Sequence, residues 1–280
     1  MTNSPSTCRR ESRAGVPLDP QGFVDLAVRL RASREARDAS GLHAVDGVRN
    51  AMRCVEHGVG IGALGVCRER CATPAGEQLV RVVRRRGVPI VRLSREAAGG
   101  LATTARESGL VAVVRQHVHE SLPEAGRDVW LCVSSVRSPG NLGTLLRSAA
   151  AVRAGGLICL GPDVDPFDPS VVRGSMGGVF GVRLFRTDAP TLGRWIARSG
   201  VLAVAADAGS RRVFDSFEYR RPCLIMLGEE RSGLSDEQRA LCRTRVRIPM
   251  VRGVDSLNVG VAGSLLLYAS RADRGARGSR

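Results

Sequence analysis

Five polar residues in the C-terminal half of the sequence could do chemistry: Asn141, Arg147, Glu230, Ser256 and Asn258. Arg147 is the only cation among them. It lies amid Leu145, Leu146 and Ala149, so its guanidinium is expected to be partly fenced and to need an acceptor. That acceptor is a phosphate or a carboxylate such as Glu230. Asn141 stands at the entrance of the same expected helix. Six residues at about 100° each put Arg147 roughly 120° round from it, on an adjacent face. No Ser/His/Asp set, Walker-type lysine or glycine-rich dinucleotide fingerprint appears. Loops so poor in catalytic side chains suit a site that grips a small molecule with backbone. The chemistry is then left to one or two polar groups.

Alternating strands and helices must position these residues. Residues 129–133 read as a strand, 138–141 as a turn, 142–152 as a helix and 156–160 as the next strand, a βαβ unit. A helix starts at Asp168-Pro169-Ser170, and 174–178 is a glycine-rich, flexible stretch. Residues 191–198 read as helix and 201–205 as a buried strand ending at Asp207-Ala208-Gly209. The charged segment 210–221 has no assignment. Residues 224–227 form a buried strand that ends at Gly228, and 245–248 another, stopped by Pro249. A long apolar helix runs over 259–269, with Ser256 or Asn258 as its N-cap. In an open parallel sheet, ligands bind at the carboxyl ends of the strands. The loops after 227 and 248 lie there.

The stretches GEERSGLS (228–235), IPM (248–250) and SLNVGVA (256–262), with SPGNLGTLLRSA (138–149) upstream, resemble the signature motifs of the TrmH/SpoU family. That family belongs to the SPOUT superfamily of RNA 2′-O-ribose methyltransferases. The resemblance implies an α/β fold with a C-terminal trefoil knot and S-adenosyl-L-methionine (SAM) as methyl donor. By the same resemblance Gly228, Ile248 and Leu257 supply backbone contacts to SAM, with Leu227 and Met250 as apolar walls. Arg147 matches the family's catalytic arginine and Glu230 its second-motif glutamate. Ser256 and Asn258 orient the ribose and Arg147, and Asn141 fixes the loop and touches the nucleotide. Glu229 departs from the small polar residue usual there and adds negative charge. Gly260 replaces Ser or Ala, with little consequence expected. Arginine stays charged at any working pH. Arg147 is therefore better described as stabilising the developing alkoxide while a phosphate or water takes the proton. Family members dimerise through the knot, and the apolar 259–269 helix suits such an interface.

Upstream, helices are expected at 24–34, 48–56 and 77–86 and strands at 42–45, 61–66, 88–93 and 109–114. These make a small α/β domain over 19–116. The stretches SREARDASGLHAVDGVRNAMRCVEHG (33–58), GVPIVRLS (87–94) and GLVAVV (109–114) resemble the family's N-terminal RNA-binding domain, itself similar to a ribosomal protein. Arg34 and Arg37 sit where that domain approaches RNA, and Arg173 is a further phosphate contact. Residues 1–18 are expected to be a disordered arm, 117–128 a linker, 129–273 the methyltransferase domain and 274–280 a basic tail.

Composition narrows the partner. The formal net charge is +15 and the pI near 11.0, which favours a polyanion such as nucleic acid. No lysine occurs, so arginine carries the positive charge; coding bias accounts for that choice but not for the excess over acids. The eight cysteines lie mostly in apolar runs and behave as small hydrophobes. Cys67 and Cys71 lack a second pair, so no metal site is expected. No apolar run spans a bilayer and no signal core begins the chain, which places the protein in the cytoplasm. The N-terminal domain favours large-subunit ribosomal RNA (rRNA) as substrate. A subset of the resembled family confers resistance to ribosome-targeting antibiotics. A tRNA substrate, or a non-catalytic RNA-binding assembly factor with the same fold, are the competing readings.

Overall fold

The computed structural model describes residues 12, 14–101, 109–119, 121–254 and 256–271. Contacts divide the chain into two units. One comprises residues 1–116 and 167–169, the other 117–166 and 170–280.

The first unit runs α1 (Pro20–Ala32), α2 (Arg34–Ser40), β1 (Leu42–Asp46), α3 (Gly47–Glu56), β2 (Ile61–Val66), α4 (Pro74–Arg85), β3 (Ile90–Arg92), α5 (Arg95–Gly100) and β4 (Leu110–Arg115). Short polar caps start its helices. Asp19 accepts from Gly22 N at 2.7 Å, Thr73 from Gly76 N at 3.1 Å and Ser94 from Ala97 N at 3.1 Å. Each satisfies a backbone donor that the first turn leaves open. The sheet order is β1-β4-β2-β3, with only β2 and β3 parallel. Phe23, Leu26 and Leu30 of α1 pack on Ala44, Ala63 and Val113.

The second unit runs β5 (Val118–His119), β6 (Val129–Ser134), α6 (Pro139–Ala151), β7 (Gly156–Leu160), α7 (Pro169–Gly174), α8 (Gly178–Gly181), β8 (Leu184–Thr187), α9 (Ala189–Ser199), β9 (Leu202–Ala206), β10 (Cys223–Leu227), α10 (Asp236–Ala240), β11 (Thr244–Val246) and α11 (Val259–Arg271). Its sheet has the order β11-β9-β10-β6-β7-β8-β5 with every pair parallel. Parallel strands are covered on both faces, which is why β6, β7 and β10 are wholly buried and, apart from Ser134 at the end of β6, carry no polar side chain. On one face Trp130, Leu224 and Met226 pack with Leu192 and Trp195 of α9. On the other, α11 packs beside α6 and over β10 and β6, while α6 meets β7. At Gly263 a Cβ would fall 2.3 Å from Leu145 Cδ2 and 2.5 Å from Leu227 Cδ1. Glycine is what lets α11 settle into that three-way contact.

Several sequence expectations are corrected. The helix expected over 24–34 is two helices, because Ser33 turns extended (φ −125°) and caps α2 by accepting from Ala36 N at 3.0 Å. The expected turn at 138–141 is already the first turn of α6, since Pro139 fits that position. Residues 117–128, expected as a linker, begin with an edge strand. His119 stacks on Phe185 at 5.1 Å and His117 Nε2 lies 3.0 Å from Val179 O. The end of the expected N-terminal arm is packed: Val16 is fully buried, and Ser12 Oγ accepts from Val16 N at 3.1 Å. The arm's residues 1–11 and 13, and the basic tail, lie outside the described residues. The 259–269 helix is apolar on its outer face as well as its buried one. It buries Val259, Leu266 and Leu267 and leaves Val261, Leu265 and Tyr268 exposed. No described helix is long and apolar enough to cross a membrane.

Candidate active site

A cavity of about 170 Å³ opens at the carboxyl ends of β9, β10 and β11, the end at which parallel sheets bind ligands. Leu227 and Gly228 close β10 into it, Ile248 and Met250 follow β11, and Ser256 and Leu257 precede α11. All six are candidates on sequence grounds.

Gly228 is fixed by its loop. Glu229 N donates to Gly233 O at 3.1 Å and Gly233 N to Glu229 O at 2.9 Å. The chain therefore doubles back over Gly228, and a Cβ there would lie 2.1 Å from the carbonyl carbon of Gly233. No side chain fits beneath that backbone.

A polar relay borders the cavity. Asn141 Nδ2 donates to Glu230 Oε1 at 3.0 Å, and Asn258 Nδ2 donates to Asn141 Oδ1 at 2.8 Å. Asn258 Oδ1 then accepts from Gly260 N at 2.9 Å and Val261 N at 3.2 Å. Asn258 is thus the N-cap of α11, the position for which Ser256 is the alternative in the sequence. Because its amide faces both ways, the cap and the relay are one device. Gly260 matters here more than expected. A Cβ on it would lie 3.3 Å from Asn141 Cα and 3.1 Å from Asn258 Oδ1, which is tight for a backbone neighbour.

None of the candidate arginines is part of the cavity lining. Arg147 is exposed on α6 and is not part of the lining. The fence expected from Leu145, Leu146 and Ala149 is absent, because helix geometry turns those three into the core and Arg147 outward. Among the described residues Glu230 takes Asn141 as its hydrogen-bond donor, and the ion pairs include none between Glu230 and Arg147. The backbone at Arg147 is closely packed all the same: a Cβ on Gly178 would lie 3.0 Å from its Cα. Arg173 is exposed at the end of α7. In the first unit Arg34 pairs with Asp38 at 3.3 Å. Arg37, expected to approach RNA, is instead 3 % exposed and donates Nη1 to Leu30 O at 2.8 Å. Its charge serves the α1–α2 corner.

Several contributors escape the sequence reading. Asp207 and Ala208 line the cavity; their place at the end of a parallel strand is the available signal. Glu229 does not stand alone near the pocket. Ser232 Oγ donates to its Oε2 at 2.6 Å and Arg137 Nε lies 3.5 Å from its Oε1.

This cavity suits an adenosyl sulfonium. Leu227, Ile248, Met250 and Leu257 give apolar walls for a purine, and Asp207, Glu229 and Glu230 place carboxylates for cationic groups. Among the described residues no group of three or more His, Cys, Asp or Glu is placed to hold a metal ion.

The chain is similar to known proteins in sequence and fold. The sequence model of the SpoU rRNA Methylase family matches residues 128–268. A 23S rRNA (uridine(2479)-2′-O)-methyltransferase of Streptomyces viridochromogenes is 32 % identical over 254 residues, 88 % of each chain. The solved SpoU methyltransferase AviRb of that organism, in complex with AdoMet, superposes with a TM-score of 0.82 at 29 % identity, covering 92 % of this chain and 98 % of that one. An AdoMet-bound rRNA methyltransferase from Sinorhizobium meliloti gives 0.79 at 25 % identity over 89 % and 94 %. The tRNA (guanosine(18)-2′-O)-methyltransferase of Escherichia coli is 28 % identical over 156 residues, 55 % of this chain and 68 % of the relative.

Proposed function

The chain belongs to the SpoU rRNA methylase family, an SAM-dependent RNA (ribose-2′-O) methyltransferase with the family's α/β fold, and from that premise we propose that its substrate is large-subunit rRNA. One observation carries the choice. The rRNA-directed relative matches 88 % of this chain, both units included, whereas the tRNA-directed one matches 55 %. The first unit then serves to hold RNA, with Arg34 as its candidate contact.

SAM supplies an electrophilic methyl when bound. Gly228, Ile248 and Leu257 present backbone to it, and Leu227 and Met250 flank the purine. Asn258, held by Asn141, orients the ribose together with Ser256. Glu230 fixes Asn141 and so sets the relay. Arg147 stabilises charge developing on the 2′-oxygen, and a phosphate or water takes the proton, because a guanidinium cannot. Arg173 contacts a neighbouring phosphate. In-line transfer needs nucleophile and methyl at about 3 Å, an alignment that Leu227, Ser256 and Asn258 would have to enforce.

Two structural proposals accompany this one. The chain after β11 is threaded as a trefoil knot; support comes from the segment around Val213, which bridges Arg247 side by side. Two copies pair through α11, whose Val261, Leu265 and Tyr268 form an exposed stripe at i, i+4 and i+7. Resistance to a ribosome-targeting antibiotic is a cellular role that the sequence resemblance alone supports.

The test is tritium transfer from labelled SAM into separated RNAs, followed by primer extension at low nucleotide concentration. Label in large-subunit rRNA supports the proposal. Label confined to tRNA refutes the substrate, and RNA binding without SAM binding refutes catalysis.

A further inference from the structure

A cleft of about 850 Å³ lies at the other end of the strands that form the active site. β9 contributes Leu202 and Ala203 to it and Ala206 to the active-site cavity. At about 3.3 Å per residue the two sites stand roughly 10 Å apart along that strand. The cleft carries Arg212, Arg220, Arg221 and Arg243 against a single carboxylate, Glu218, and Phe217 stands in its wall. All four arginines are exposed. Tyr219 holds the Phe217 ring at 5.0 Å with the planes near perpendicular. The methyl-transfer site uses none of these residues.

The edge strand joins the two sites. From Arg243 to Arg247 arginine alternates with Thr244 and Val246, and those two are buried. Period-two alternation sets Arg243, Arg245 and Arg247 on one side of β11. Arg243 lines the cleft, and Arg245 Nη1 lies 3.2 Å from Asp207 Oδ2 in the wall of the active-site cavity. Charge on an edge strand also deters strand pairing, but any charge does that, and it calls for no cleft. Guanidiniums along a groove with an aromatic wall match an unpaired RNA strand: cations meet phosphates and a ring meets a base.

We propose that this cleft is a second RNA site, taking an unpaired stretch of the substrate that leaves the active site over β11. The proposal rests on the RNA-methyltransferase reading. Its test measures binding of a short fluorescein-labelled oligouridylate to the full chain across a salt series. Arg220→Glu combined with Arg243→Glu is expected to weaken binding by about tenfold or more. It should also make the salt slope shallower by about 0.7 for each phosphate no longer neutralised. Phe217→Leu keeps charge and apolar bulk. It is expected to lose at least about fivefold with the slope unchanged, and it keeps the test decisive if the double variant does not fold. SAM affinity, read by calorimetry, stays at the unaltered value in both. Oligonucleotide affinity and slope equal to those of the unaltered protein overturn the cleft. Methyl transfer by the unaltered protein into rRNA is scored separately, so a failed cleft with intact transfer leaves the parent reading standing.

Discussion

Asn258 Nδ2 donates to Asn141 Oδ1 at 2.8 Å across 117 residues of sequence, while Asn258 Oδ1 caps α11. One amide thereby locks the last described helix to the first turn of α6. The two halves of that amide can be tested apart. Asn258→Asp keeps an acceptor for the cap and loses the donor to Asn141. It is expected to retain most of the thermal stability and lose most methyl transfer. Asn258→Ala loses both and is expected to cost about 1–2 kcal/mol as well. Denaturant titration and tritium transfer on the two variants check this; equal transfer by Asn258→Asp and the unaltered enzyme would remove the relay from catalysis.

Gly228→Ala places a methyl inside the backbone of Gly233 and Leu234. The loop must open, and SAM binding is expected to vanish while the far-UV circular dichroism of the sheet persists. Calorimetry with SAM decides it, and measurable binding close to the unaltered value speaks against the tight turn.

Arg147→Ala is expected to abolish transfer and leave SAM affinity nearly unchanged, since Arg147 lies outside the cavity wall. As an exposed residue it should shift stability by no more than about 0.5 kcal/mol. Equal loss of transfer and SAM affinity would make it structural.

Leu265→Arg, or Tyr268→Arg, puts charge on the exposed face of α11. Sedimentation equilibrium is expected to show dimer for the parent chain and monomer for the variant. A variant that sediments like its parent excludes this face as the interface.

Burial pushes the thiols of Cys223 and Cys242 up to about 12. Their native pKa values lie above the unfolded value of 9.0, so the unfolded state releases protons first as pH rises. The stabilisation is whole below 9 and is lost between 9 and 12. The chain contains no lysine to titrate in that window. Stability should fall by about 1.4 kcal/mol per pH unit for each such thiol. Cys223→Ala should reduce the slope by one thiol's share. Urea unfolding at three alkaline pH values measures it, and a flat profile counts against the prediction.

The sequence is most legible where side-chain pattern and backbone need coincide. Apolar runs ending in Gly228 and before Pro249 read as buried parallel strands, and both lie at the cavity. Asn141, Glu230 and Asn258 stand out as candidates, but their hydrogen bonds do not, because sequence does not say which amide faces which. Arg147 and Arg37 show the converse error. Apolar neighbours in sequence suggest a fenced Arg147, yet a helix sends successive side chains round its axis and those neighbours face the core. Arg37 looks like a surface charge and is buried, because two helices meet at Ser33 and the last carbonyls of α1 need a donor. The arginine cleft is hidden for a related reason: its walls come from 196–203, 212–222 and 241–244, and only the topology gathers them.

The back of the cavity is α11, the last described element, seated through Gly263 between Leu145 and Leu227. A nascent chain halted before Val259 would own every strand of the sheet yet bare a greasy trough along its middle. Seating this helix therefore covers apolar side chains and closes the cavity in one step.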